Sequence, residues 1–200
     1  MSSKLDDGIA RHNVASFKMK SIRCPLNGVL LIEPDVFGDS RGYFVESWNE
    51  ARYREAGIAD GRFVQDNFSY SRRGTLRGMH FQNPRPQGKL VSVWQGEVFD
   101  VVVDIRRESP TFRQWYGVCL DPESKRQLFV PAGFAHGFIV LSETALFHYK
   151  CTETYSPGDE CGFRWNDPAI GIEWPAVEPI LSPRDAGARA FDELPLDVLF

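Results

Sequence analysis

The sequence lacks several features by which common classes of protein are recognised. Its 200 residues include four cysteines (Cys24, Cys119, Cys151 and Cys161), and no two of them form a CxxC pair. This spacing disfavours a structural zinc site, and a disulfide scaffold is not expected in a chain of this size. No apolar run approaches about 18 residues and no signal-peptide core is present. We therefore expect no association with a membrane and a location in the reducing cytoplasm.

The chain has no excess of positive charge. It contains 23 Lys and Arg residues against 27 Asp and Glu residues, which gives a net charge of −4. This balance argues against a general nucleic-acid-binding protein. It is compatible with an anionic small ligand, because a local cluster of Arg and Lys can outweigh the net charge.

Apolar and aromatic residues are abundant. They make up 42% and 13% of the chain, with 15 Phe and 5 Trp, and the length fits one domain with an aromatic-rich sheet interior. From Arg62 onward, short apolar runs recur between turn residues, which is typical of an antiparallel sandwich or barrel. The predicted strands include Lys89–Trp94, Val98–Asp104, Trp115–Leu120, Gln127–Val130, Gly137–Val140 and Ala145–Cys151.

Three other parts of the chain complete the expected organisation. Residues 1 to about 22 are polar and without a clear period, so we interpret them as an N-terminal extension or arm and assign residues 23–200 to one domain. The composition from Asn49 to Gly57 predicts one short helix. Past Ser156 the chain is rich in Pro, Gly, Asp and Trp, and we expect it to wrap the barrel with short helices or turns.

Three segments place titratable side chains inside stretches that are predicted to be strands: Arg77–Gln82, Pro131–Gly137 and Phe147–Cys151. A strand that carries His, Lys or Tyr among apolar residues is either strained or lines a pocket. Three such segments together suggest a barrel whose interior is an active site.

Each of these side chains has an ordinary structural interpretation and a functional one. His80 is either a satisfied strand residue or a general base, and a base needs a partner such as Asp185 on its second nitrogen. Lys89 is either a cation at a strand end or the group that stabilises a developing oxyanion. Tyr149 is either a core tyrosine or a proton donor that faces the base, and alternation places it with Phe147 and Cys151.

Neighbouring positions leave similar alternatives open. Alternation in the first segment places Arg77 and Met79 on one face and Gly78 and His80 on the other, unless a bulge intervenes. Gln65-Asp66-Asn67 is a polar strand end or part of a ligand site. Arg41 and Glu46 flank an apolar run and are expected to form a surface ion pair, if they have no other role.

The spacing Pro131-x-Gly133-x-x-His136 resembles the second motif of the cupin superfamily, in which Pro and Gly shape a turn and His enters the barrel. Metal-binding cupins carry a His-x-His pair in their first motif, where this chain has His80-Phe81-Gln82. No Glu follows before Lys89 at the cupin spacing. A facial triad of metal ligands is therefore disfavoured, and the site is predicted to use acid–base chemistry without a metal.

A longer series of ordered motifs resembles one family in particular, the dTDP-4-dehydrorhamnose 3,5-epimerases, over about Leu30 to Asp185. The matching segments are Phe37-Gly38-Asp39-Ser40-Arg41-Gly42-Tyr43-Phe44, Gln65-Asp66-Asn67, Leu76-Arg77-Gly78-Met79-His80-Phe81-Gln82, Gly88-Lys89-Leu90-Val91, Val130-Pro131-Ala132-Gly133-Phe134-Ala135-His136-Gly137-Phe138, Tyr149-Lys150-Cys151, Tyr155-Ser156-Pro157, Glu160, Trp165-Asn166-Asp167-Pro168 and Leu181-Ser182. The resemblance implies an all-β, cupin-type antiparallel barrel, or jelly roll, with a few short helices.

The resemblance also implies roles for individual residues. His80 corresponds to the general base, Asp185 to its partner, Tyr149 to the proton donor and Lys89 to the residue near the substrate ketone. Tyr155 corresponds to the aromatic residue that stacks on thymine. The other implied substrate-binding positions are Arg41, Glu46, Gln65, Asp66, Asn67, Arg77, His136, Glu160 and Arg184, the last in place of the usual lysine, which keeps the charge but changes its geometry.

The implied activity is epimerisation at carbons 3 and 5 of a dTDP-4-keto-6-deoxy sugar, without a cofactor or metal, by a homodimer. Two alternatives remain open at this stage. One is an epimerase that acts at a single carbon, and the other is a sugar-nucleotide-binding cupin without catalysis. Retention of both His80 and Tyr149 disfavours the second, because a binding protein needs neither a base nor an acid.

Overall fold

The computed structural model describes residues 19–58 and 62–200. Residues 1–18 of the predicted extension lie outside this range, so its nature stays a prediction. The predicted boundary near residue 22 falls within the strand Lys20–Arg23, which pairs along its length with Leu30–Glu33.

The described residues form mainly β-structure. Thirteen strands are present: β1 Lys20–Arg23, β2 Leu30–Glu33, β3 Val36–Asp39, β4 Gly42–Val45, β5 Gln65–Arg72, β6 Leu76–Gln82, β7 Lys89–Gln95, β8 Val98–Asp104, β9 Trp115–Leu120, β10 Gln127–Val130, β11 Phe134–Val140, β12 Thr144–Cys151 and β13 Glu160–Gly162. The α-helices are α1 Glu50–Glu55 and α2 Pro183–Ala186, and short 3-10 helices cover Phe191–Glu193 and Leu196–Val198. Across residues 19–58 and 62–200, no helix has the length and apolar character needed to cross a membrane.

Two antiparallel sheets make up the body of the fold. The larger sheet has six strands in the order β1-β2-β10-β7-β12-β5, and the smaller has five in the order β13-β6-β11-β8-β9. One core cluster joins inward-facing side chains of both sheets, among them Val93 of β7, Val102 of β8 and Phe147 of β12. The expected jelly-roll barrel is therefore confirmed, and β3 and β4 form a separate hairpin.

Alternation along the strands sorts side chains between the interior and the outer layers. In β8, Val98 and Val102 belong to the inner core, whereas Val101 and Val103 belong to a second cluster outside the five-stranded sheet. The residue between the two inner valines on this face is Asp100, which is fully buried. A period of two therefore aims a carboxyl group at the barrel interior.

The outer faces of both sheets are covered by the segments that the sequence placed outside the strands. Helix α1 packs Tyr53 against the six-stranded sheet, with Asn49 as the N-cap and Gly57 after the last turn at φ +112°. The C-terminal segment covers the five-stranded sheet with Phe163 and Phe191. The predicted helix and the predicted wrapping tail are confirmed.

The predicted strands were accurate in position but incomplete. Three of the six match the structure at both ends, and the strand predicted from Gly137 begins instead at Phe134, so that His136 lies inside it. Sequence patterns indicated no strands before Arg62, whereas β1 to β4 precede α1.

Candidate active site

A cavity of about 120 Å³ opens inside the barrel. Its lining contains the three residues that the sequence singled out as candidate base, proton donor and oxyanion-stabilising lysine, together with apolar rings. The lining residues are Ser69, Arg77, His80, Lys89, His136, Phe138, Phe147 and Tyr149.

The two sheets contribute opposite sides of this cavity. His80 lies on β6 and His136 is its Cα partner on β11, both in the five-stranded sheet. Lys89 begins β7 and Tyr149 lies on β12, which pair in the six-stranded sheet. A group held between the sheets would therefore meet His80 on one side and Tyr149 on the other.

A β-bulge determines which residues of β6 reach the cavity. Pairing with β11 shifts between His136↔His80 and Phe138↔Arg77, so Gly78 and Met79 together oppose Gly137. Simple alternation, which separates Arg77 from His80, is corrected by this extra residue, and both side chains line the cavity. Gly78 allows the bulge, because it has φ +140° and a Cβ there would lie 2.6 Å from Gly137 Cα.

His80 is oriented by a buried carboxylate. Nε2 of His80 lies 2.6 Å from Oδ1 of Asp185, and the hydroxyl of Ser182 donates to Oδ2 at 2.8 Å. Ser182 is also the N-cap of α2, which holds Asp185 in its first turn. Burial opposes ionisation of Asp185, but its hydrogen bonds from His80 and Ser182 outweigh that effect and lower its pKa. The dyad is thus built to keep Nδ1 of His80 as the proton acceptor.

A larger cleft of about 400 Å³ lies on the other side of the same dyad and shares His80 with the barrel cavity. Glu160, Arg184 and Asp185 line it. The Tyr155 hydroxyl donates to Glu160 Oε2 at 2.5 Å, and Arg184 forms an ion pair with the same carboxylate. Half of the Tyr155 side chain is exposed beside this network, so a flat ring can reach its face.

Lys89 and Tyr149 occupy a desolvated environment. Burial lowers the pKa of Lys89, and it raises the pKa of Tyr149. The tyrosine therefore holds its proton at neutral pH and can donate it, while the lysine ammonium depends on nearby negative charge to stay protonated.

The sequence reasoning missed Ser69, which lines the cavity, and Asp100, which lies behind the cavity residue His136. Nε2 of His136 lies 3.0 and 2.9 Å from the two carboxylate oxygens of Asp100. The Ser69 hydroxyl lines the cavity and is buried without a hydrogen bond to any residue that the structure describes. For Asp100 a signal existed, since an Asp in the middle of the apolar run Val98–Asp104 needs a partner.

Residues 65–67 divide between two faces of β5. The main-chain N–H of Tyr155 donates to Gln65 Oε1 at 2.8 Å, and the side chain of Asn67 contacts Cys151 Sγ at 3.7 Å. Asp66 points to the opposite face, where it accepts from Lys150 at 2.9 Å. The structure therefore groups Gln65 with Tyr155 but does not bring the Asp66 side chain to the cavity.

Arg41 and Glu46 do not pair with each other, which corrects the expected ion pair. Arg41 binds Asp39 within the β3–β4 hairpin, and Glu46 forms an ion pair with Arg52 of α1. Neither residue lines the barrel cavity or the cleft beside Asp185. In this single chain, both residues therefore lie away from the other implied substrate-binding residues.

The described part of the chain contains no group of three or more His, Cys, Asp and Glu side chains placed to hold a metal ion. In the barrel, His80 and His136 are each bonded to a carboxylate through Nε2. These pairs orient the imidazoles as hydrogen-bonding and proton-transfer groups.

The fold and the site together define a class: a cupin-type barrel whose interior presents acid and base groups from facing sheets. Comparison with known sequences specifies it further. The sequence model of the family dTDP-4-dehydrorhamnose 3,5-epimerase matches residues 23–193. This chain belongs to that family.

Individual relatives agree with this assignment. The dTDP-4-dehydrorhamnose 3,5-epimerase of Salmonella typhimurium is 55% identical over 174 residues, which cover 86% of this chain and 95% of that protein. The crystal structure of dTDP-6-deoxy-D-glucose-3,5-epimerase from Legionella pneumophila, in complex with dTDP-4-keto-L-rhamnose, is 52% identical with a TM-score of 0.88, covering 91% and 97% of the two chains. A 3'-monoepimerase from Streptomyces bikiniensis in complex with dTDP-quinovose is 35% identical, with a TM-score of 0.77 and coverage of 84% and 85%.

Proposed function

We propose that this protein converts dTDP-4-dehydro-6-deoxy-D-glucose to dTDP-4-dehydro-L-rhamnose by inverting carbons 3 and 5. The protein is an epimerase of the family identified above. One observation supports the two-base chemistry most directly: His80 and Tyr149 line one cavity from opposite sheets. Inversion of a carbon requires removal of a proton from one side and delivery of a proton to the other. A base on one sheet and an acid on the facing sheet meet this requirement.

The chemistry follows from the types of residue present. A 4-keto group acidifies the hydrogens on carbons 3 and 5. His80, oriented by Asp185, removes such a proton, and the electron pair moves into the carbonyl to form an enolate. Lys89 stabilises the enolate oxygen, and Tyr149 protonates the carbon from the other side. The reaction changes no oxidation state, so it requires no redox cofactor.

The remaining polar groups are proposed to hold the substrate. Arg77 and Arg184 supply positive charge for the diphosphate, and the exposed ring of Tyr155 stacks on the thymine. The sequence implied that His136 binds the substrate. Because it is buried beside His80, we now assign it, with the Ser69 hydroxyl, to the sugar. Binding energy from the nucleotide fixes the ring between base and acid.

Epimerisation of a single carbon is the second candidate. The likeness to a 3'-monoepimerase favours keeping it, although that structure is 35% identical against 52% for the 3,5-epimerase from L. pneumophila. The same base, acid and lysine would serve one carbon or two. For a second inversion, the sugar ring need only turn so that its other carbon lies between His80 and Tyr149.

A homodimer is proposed from the distribution of exposed apolar side chains. β5 is the edge strand of the larger sheet, and its Phe68 and Tyr70 are 62% and 63% exposed. Tyr43 and Phe44 on the β3–β4 hairpin are also more than half exposed. Edge strands and apolar patches of this kind are usually covered by a partner. A sedimentation mass near 22.7 kDa at micromolar concentration would refute the dimer, and twice that mass would support it.

A cytoplasmic location is part of the same proposal. All four cysteines are free thiols in the structure, a state that a reducing compartment maintains. Fractionation of cells in which the protein is expressed, with a cytoplasmic and an exported marker enzyme, would test the location.

Proton NMR of the dTDP-4-keto sugar in D2O tests the function. Loss of both the C3 and C5 proton signals, with formation of the L-sugar when a 4-ketoreductase is coupled, supports the leading proposal. Exchange at one carbon alone identifies a single-site epimerase. If neither carbon exchanges although dTDP binds, the protein is a binding cupin and the proposed catalysis is wrong.

A further inference from the structure

Asp100 is a buried carboxyl group that the acid–base mechanism above does not use. It lies on the inward face of β8 with no exposed surface. Its described hydrogen-bond partner is Nε2 of His136, at 3.0 and 2.9 Å from its two oxygens. A carboxyl group so deeply buried is costly unless it is paired, and it is therefore seldom placed in a barrel by packing alone.

The hydrogen bond to Asp100 determines which ring nitrogen of His136 faces the cavity. Because Nε2 is directed at the carboxyl group, Nδ1 is the nitrogen left for a ligand. The ring is further restrained by stacking on Phe147, at a centroid distance of 6.1 Å and an interplanar angle of 27°. Asp100 therefore fixes both the tautomer and the orientation of a cavity imidazole.

Asp100 also acts electrostatically on Lys89, which begins β7 in the facing sheet. Burial lowers the pKa of Lys89, and interactions with Cys151, Asp100 and Glu160 oppose that effect. Burial raises the pKa of Cys151, so its thiol is neutral at neutral pH, and Glu160 is already paired with Arg184. Asp100 has no arginine partner among the residues that the structure describes; burial raises its own pKa, and its hydrogen bond to His136 and its interaction with Lys89 oppose that effect.

Charged and titratable groups from several strands surround Lys89. Besides Cys151 of β12, Asp100 of β8 and Glu160 of β13, they are His80 and Arg77 of β6, His136 of β11 and Tyr149 of β12. Arg77 adds positive charge to the same cavity and so works against protonation of the lysine. A carboxylate at Asp100 would therefore favour the ammonium form of Lys89.

We propose that Asp100 is a positioning residue for the cavity: it orients His136 toward the sugar from one sheet and favours the ammonium form of Lys89 on the facing sheet. The carboxylate acts through these two residues and does not touch the substrate. This inference rests on the proposed epimerase chemistry, in which negative charge develops on the ketone oxygen. It also gives β8, which carries no other assigned residue, a part in the reaction.

The test is the pH dependence of turnover by Asp100→Asn, which keeps the size of the side chain and removes its charge. Without that charge Lys89 loses its proton at lower pH, so the alkaline limb of kcat moves to lower pH than in the wild type. At neutral pH we expect kcat to fall by roughly tenfold to a hundredfold, with a smaller change in KM. An amide that only filled space would leave the pH profile in place.

Asp104→Asn is the matched control. Asp104 is also buried on the inward face of β8, but it is held by Arg106, Ser109 and Thr111, none of which lines the cavity. This variant should lose thermal stability and keep the wild-type pH profile. If Asp100→Asn does not fold, Asp100→Ser, which is smaller and uncharged, carries the same prediction.

Each result distinguishes the inference from the proposed function. If the wild type shows no exchange in D2O at any pH, the proposed function fails. If the wild type is active but Asp100→Asn keeps its kcat and its alkaline limb, then Asp100 is protonated or merely structural, and the inference is overturned. A shift of the limb in Asp100→Asn that Asp104→Asn does not share supports it.

Discussion

Replacement of Asp185 by asparagine tests the base, because it keeps the shape of the side chain and changes only what it can donate and accept. In the wild type, Asp185 Oδ1 accepts from Nε2 of His80 at 2.6 Å, and Nδ1 is left to take a proton. An asparagine can instead turn its amide N–H toward Nε2. The ring then carries its own proton on Nδ1, and the base is lost.

The size of the effect separates two explanations. If Asp185 contributed only a charge-assisted hydrogen bond, its loss would cost about 1.5–3 kcal/mol, or roughly 10- to 150-fold in rate. A wrong tautomer removes the base altogether and costs on the order of 10⁴-fold in comparable dyads. Ser182 Oγ already accepts from the main-chain N–H of Asp185 at 3.1 Å and donates its hydroxyl to Oδ2 at 2.8 Å, which favours an asparagine with its amide oxygen beside Ser182 and its N–H beside Nε2. We therefore expect a loss of about three to four orders of magnitude.

The assay is deuterium incorporation at carbons 3 and 5, measured by proton NMR beside thermal unfolding to show that the variant is folded. Ser182→Ala is an informative second variant, because it removes the support but leaves the carboxylate, and it should cost only a modest loss of rate. Asp192→Asn changes an exposed carboxylate bonded to Arg113 and should have no effect. Turnover by Asp185→Asn within tenfold of the wild type would refute the assigned dyad.

Four further predictions follow from the same geometry. Tyr149→Phe should still exchange substrate hydrogen with D2O through His80 but form far less inverted product, and wild-type rates of both would show that Tyr149 is not the acid. His80→Asn should lower turnover by roughly two or more orders of magnitude with little change in ligand affinity by titration calorimetry, and near-normal turnover would point to another base. Gly78→Ala should lower stability by more than about 1–2 kcal/mol in a denaturant titration, because its positive φ and its contact with Gly137 admit no Cβ; Gly158→Ala, which meets nothing within 4 Å, should change little. Turnover should survive exhaustive dialysis against EDTA, and restoration by a divalent metal after loss would show that the metal-free mechanism is wrong.

The faces on which Arg77 and His80 of β6 lie could not be predicted from the sequence alone. Regular alternation predicted that Arg77 and His80 lie on opposite faces, and the sequence offered a bulge only as an exception. The shift in pairing between β6 and β11 places both in the cavity. A bulge depends on the partner strand, here on the glycine opposite, and so it cannot be read from one strand alone.

The pairing of His80 with Asp185 illustrates the contribution of family resemblance. The two residues are 105 positions apart, and no local pattern joins them. Resemblance to known epimerases implied the pair, and in the structure the two side chains lie within hydrogen-bonding distance. The same resemblance named Arg41 and Glu46, which the structure places away from the cavity, at the hairpin and beside α1.

Local sequence was enough to determine the all-β class, the positions of most central strands, the helix at Asn49–Gly57 and the segments that carry His80, His136 and Tyr149. These features depend on a period of two, on turn residues and on caps, all of which act over a few neighbouring positions. The tertiary structure alone decided that His80 and Tyr149 belong to opposite sheets, that Asp66 faces away, and that Asp100 lies beneath His136. Those relations come from which strands pair and in what register, and they are set by the packing of side chains far apart along the chain.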